Sequence, residues 1–87
     1  MNTVIHPNGV TETIDVLDGE DRLTLDQMQK AVGGCVELVH TPSVNWDVYA
    51  NEEGLLIGLE PNMAASLITG VPLVGSVLIC DPGEVDG

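Results

Sequence analysis

Few residues in this chain are of the types that do chemistry, and their spacing argues against most of it. The two histidines, His6 and His40, and the two cysteines, Cys35 and Cys80, share no local spacing. Zinc sites need three or four such ligands, usually in closely spaced pairs. No metal is therefore expected. Ser43, Ser66 and Ser76 lie in no nucleophile elbow, and neither cysteine accompanies a local histidine signature. The run Gly70 to Ser76, "GVPLVGS", lacks the lysine of a phosphate loop. It also follows a helix rather than opening one, so no helix N-terminus is aimed at it. The expectation is a protein that is not an enzyme and carries no cofactor.

Polar recognition remains. Glu37 stands inside the otherwise apolar run "CVELVH". A carboxylate there needs a partner or water. Asn62 opens a helix, where unpaired backbone N–H groups favour an anion. Asn51 ends a strand before a tight turn. Arg22 and Lys30 are the only two cationic residues of the lysine and arginine type, against 14 acidic ones, a net charge of −12. Arg22, Lys30, Glu37, Asn51 and Asn62 are the candidate ligand-binding set. The charge disfavours direct contact with nucleic acid or an anionic membrane, and suits a basic protein surface.

The elements that must position these residues follow from pattern. Thr3–His6 reads as a strand, "PNG" as a tight turn, and Val10–Val16 as the returning strand of a hairpin. "LTLDQMQKAVGG" reads as a helix. Thr24 and Gln27 form a capping box, Leu23 packs on Met28, and Leu25, Met28 and Val32 share one face. Gly33-Gly34 ends it. "CVELVH", "NWDVYAN" and "LLIGL" read as three antiparallel strands in a meander. "EPNMAASLITG" is a second helix with Pro61 in its first turn and an apolar face of Met63, Ala64, Leu67 and Ile68. "VPLVGSVLIC" is a last, central strand. Trp46 and Tyr49, three apart on one strand, should face opposite sides. The fold expected is α+β in the order ββαβββαβ, a mostly antiparallel sheet packed by two helices. One domain spans 1–80, with a flexible acidic tail over 81–87. Both cysteines are expected to be reduced and buried.

Two stretches, "LTLDQMQKAVGGCVELV" and "NEEGLLIGLEPNMAASLITGVPLVGSVLI", carry a resemblance. Leu25, Met28 and Gln29, then Val32-Gly33-Gly34, Glu37, Asn51-Glu52-Glu53-Gly54, Gly58-Leu59, Asn62, Ala64-Ala65, Gly70, Pro72 and Gly75 form its pattern. It resembles a family of short domains of unknown function common in phages, mobile elements and their bacterial hosts. Cys35 stands where that pattern has a bulkier side chain. The resemblance implies no catalytic residue. It implies a host bacterial cytoplasmic setting, in keeping with a start, Met1 to Val10, that has no signal-peptide pattern.

Two functions fit. The preferred one is a non-enzymatic counter-defence binding protein that sequesters a host nucleotide-type signal. The other is an acidic inhibitor or DNA mimic that covers a basic surface of a host defence or DNA-processing protein. They differ in whether Arg22 and Lys30 line a shared pocket or lie apart. A domain of 87 residues has a small core, and its apolar strands offer more surface than two short helices cover. A homo-oligomer is therefore expected, and light scattering at micromolar concentration should return a mass above that of one chain.

Overall fold

A computed structural model describes residues 2–81. Apart from Asp81, the expected acidic tail lies outside the described residues. The elements are β1 (Asn2–Ile5), β2 (Thr11–Thr13), α1 (Leu25–Val32), β3 (Val36–Val39), β4 (Asp47–Asn51), α2 (Met63–Thr69) and β5 (Val77–Cys80). The five strands form one antiparallel sheet in the order β2-β1-β5-β4-β3. The expected α+β class holds.

One expected strand is absent. "LLIGL" folds as consecutive turns, with Ile57 N–H donating to Glu53 O and Leu59 N–H to Gly54 O. The reason is topological. β5 inserts between β1 and β4, so β4 is paired on both sides and offers no edge to a third meander strand. β2 is also shorter than expected. The strand ends at Thr13; Ile14 N–H still donates to Asn2 O, and the Ile14 and Val16 side chains pack onto the core.

Side chains alternate across the sheet and build two cores. Val4, Leu78 and Cys80 point to the α1 side, where they meet Leu23, Met28 and Val32. Ile5, Val48, Ala50 and Val77 point to the other, where Ala65 of α2 and Leu73 cover them. Each helix thus covers one face.

Local chemistry explains α1. The Thr24 hydroxyl accepts from Gln27 N–H and the Gln27 side chain accepts from Thr24 N–H. Gly33 takes the left-handed conformation (φ 77°) that closes the helix. Met28 and Val32 are buried as expected, but Leu25 is exposed. The short helix presents a narrow stripe, and Leu23, just before the cap, fills the remaining space.

Helix α2 departs further from expectation. Pro61 lies ahead of it, bridged to Val74, and Asn62 is the cap. Its buried residues are Ala65 and Thr69, while Met63, Leu67 and Ile68 are exposed and Ala64 is half-buried. Asn62 sets this rotation. It is fully buried; its Oδ1 accepts from Ala65 N–H at 3.0 Å and its Nδ2 donates to Ile5 O and Gly75 O, both at 2.8 Å. Small Ala65 then faces the sheet, and the Thr69 hydroxyl is satisfied by Ala65 O.

Cys80 is buried, as expected, but Cys35 is exposed in the connection after α1; neither is in a disulfide. Among the described residues no helix is long and apolar enough to cross a membrane.

Asn62→Ala should destabilise the fold by about 3 kcal/mol, from a lost cap and two lost buried hydrogen bonds to carbonyls. Asn62→Asp keeps a good capping oxygen but removes both donors, so it should be at least as damaging. Urea denaturation, read as a lower midpoint at constant slope, checks both.

Candidate functional site

A largely apolar groove lies beside the edge strand β3. In the β3–β4 register Glu37 lies opposite Ala50, on the α2 side of the sheet. Val39 and Ala50 lie along the groove, and Leu55, Leu56 and Pro72 line it further; its volume is about 650 Å³. Glu37 and Glu52 are the acidic residues that line it. Leu55 and Leu56 are 83% and 87% exposed, at the tip of the turns that replace the expected strand.

Asn51 holds those turns in place. Its Oδ1 accepts from Glu53 N–H and its Nδ2 donates to Val32 O at the end of α1. Behind the turns, Leu59 packs where a Cβ on Gly75 would come within 2.7 Å of its Cδ1. Gly75 also has φ 72°, so both space and backbone require glycine there.

The five candidate ligand residues do not converge. Glu37 is exposed in the groove. Asn51 lines the groove as well, but its side chain is buried and engaged by backbone. Asn62 is wholly internal, with its amide committed to backbone groups, and cannot reach a ligand without unfolding its surroundings. Lys30 borders a separate cavity of about 410 Å³ and pairs with Asp26 at 3.0 Å, one turn earlier on α1. Arg22 lies in the loop before α1, in a surface hollow lined with Gly19, Glu20 and Asp21. The two cations share no pocket.

Two features escaped the sequence reading. The exposure of Leu55 and Leu56 was hidden because their run has the composition of a strand. The meeting of His6 with Ser76 was hidden because 70 residues separate them. Among the described residues no group of three or more His, Cys, Asp or Glu is placed to hold a metal.

On the opposite face of β4, Tyr49 packs half-buried against the α1-side core, while Trp46 lies exposed just ahead of the strand. Burial pushes the Tyr49 phenol above the ordinary tyrosine range, and the nearby Asp47 and Cys80 add to the effect.

The model of the DUF3846 family, a domain of unknown function, matches residues 1–87, and the chain belongs to that family. No curated protein and no solved structure matches it.

Tyr49 is the only tyrosine, so an ultraviolet titration reads it directly. Its midpoint should lie above the ordinary value, and Asp47→Asn should bring it part of the way down. A proton held more tightly by the folded than by the unfolded chain stabilises the fold below the unfolded-state pKa. That contribution should be lost as pH rises through the folded-state value, seen as a falling denaturation midpoint in alkaline buffer.

Proposed function

We propose that this member of the DUF3846 family is a protein-binding module that docks on a partner surface combining basic residues with an apolar anchor. The observation that carries the reading is the groove, with two highly exposed leucines and acidic Glu37 and Glu52 among its lining residues. Burying a leucine side chain is worth about 1.5–3 kcal/mol, so Leu55 and Leu56 are suited to be the anchors. Every acidic residue described is exposed except the half-buried Asp47, so the surrounding field favours a cationic partner. Strong negative charge also opposes packing one copy of the chain against another through this face.

In the phage or mobile-element setting that the sequence resemblance implies, the partner is a basic host defence or DNA-processing protein, and the module inhibits it by covering that surface. Turnover of a substrate is no part of this role. Sequestering a nucleotide-type signal has weaker support. Phosphates call for clustered cations, and Arg22 and Lys30 lie in different hollows.

A photo-crosslinking residue in place of Leu56, used in host cells, should give a position-specific adduct with a basic protein. The same residue in place of Leu17, in the loop ahead of α1, should not. Leu55→Asp should weaken the captured complex by about 2 kcal/mol, roughly thirtyfold. Glu37→Lys with Glu52→Lys should weaken it further at low salt than at high salt. Absence of any adduct specific to position 56, with a nucleotide co-purifying instead, would favour sequestration.

A further inference from the structure

We infer that Ser76 is an activated nucleophile, with His6 as its base and Glu12 positioning the imidazole, and that it accepts an acyl group from activated esters. The three residues come from three parts of the sheet. His6 follows β1, Glu12 lies in β2, and Ser76 precedes β5. The antiparallel registers bring them together. Ile5 pairs with Val77, which carries His6 to Ser76, and the hairpin returns Glu12 beside Val4.

The distances are those of a relay. His6 Nδ1 is 2.6 Å from Ser76 Oγ, and His6 Nε2 is 2.8 Å from Glu12 Oε1. A carboxylate only accepts, so Nε2 carries the hydrogen toward Glu12. In the neutral imidazole Nδ1 is then an acceptor, and the Ser76 hydroxyl donates to it. This polarity, hydroxyl to imidazole to carboxylate, is that of an activated serine, with the two ring nitrogens exchanged relative to the usual serine hydrolase.

The pair opens on a space that can hold a reactant. His6 and Ser76 line the cavity of about 410 Å³, with Pro7, Ala31 and Leu59 as apolar walls and Lys30 at its border. These walls suit a short acyl chain. The class of acyl donor follows from what stabilises the oxyanion. The Gly75 N–H beside the nucleophile donates to Glu60 O at 2.7 Å, so it is not available to a tetrahedral oxygen. The donor must therefore carry a good leaving group, as aryl esters and thioesters do. In the step, Ser76 Oγ forms a bond to the acyl carbon and gives its proton to His6 Nδ1. The bond from that carbon to the aryl oxygen or thioester sulfur breaks, and the leaving group departs as phenolate or thiolate. The proton passes from His6 to the leaving group or to water. No oxidant or further reactant is required. The inference is independent of the groove, which lies elsewhere on the surface and shares only Asn51 with this cavity.

The test uses the intact chain with p-nitrophenyl butyrate. One butyryl group should be found on Ser76 by peptide mapping, in a fast phase matched by release of nitrophenolate. His6→Gln should slow that phase by about a hundredfold, the range of a lost general base. Glu12→Gln should lower the rate constant of the phase while leaving its half-saturating ester concentration unchanged. A loss of folding would alter both, and circular dichroism of each variant identifies it. Mapping on the natural chain needs no variant at all. Acylation found only on Lys30, Cys35 or the N-terminus, or Ser76 acylated equally fast in folded His6→Gln, would overturn the inference.

Discussion

The Asn62 side chain is the constraint on which the α2 half of the molecule depends. One amide joins three segments that lie far apart in the chain: the end of β1, the first turn of α2 and the approach to β5. With no exposure to solvent, each of its bonds replaces one that water would otherwise supply. Because the cap is anchored to the sheet on one side and to the helix on the other, the rotation of α2 is decided there. The larger apolar side chains of the helix do not decide it. The outcome runs against a simple amphipathic reading, since Ala65 and Thr69 face inward and Leu67 faces water.

A second consequence concerns the space beside β4. Once β5 occupies that position, the residues after Asn51 must turn away from the sheet. Asn51 and Leu59 pin the two ends of the excursion, and the leucines between them have no core to enter. A segment apolar enough to be a strand becomes an exposed tip. Such a patch beside carboxylates is costly for an isolated chain and useful to one that binds a partner. In the role proposed for it, the acidic field would set the sign of the partner, and the leucines would supply the anchoring area.

What the sequence by itself determined is what depends on near neighbours in the chain. The capping box of Thr24 and Gln27, the Gly33 stop and the Asn8-Gly9 turn each involve residues within a few positions, and all are present. The α+β class followed from them, as did the excess of exposed acid. The β1–β2 hairpin and the β3–β4 pair were legible from their short connections, and tertiary structure alone decided that β5 lies between the two pairs. Pairing energy is nearly the same for many partners, whereas the order β2-β1-β5-β4-β3 depends on burying both faces at once. That order turned "LLIGL" from strand to turn. It moved Asn62 from a ligand candidate to an internal clamp and kept Arg22 and Lys30 apart. It also brought His6 to Ser76 across 70 residues, a contact that no local spacing encodes because only the β1–β5 register creates it.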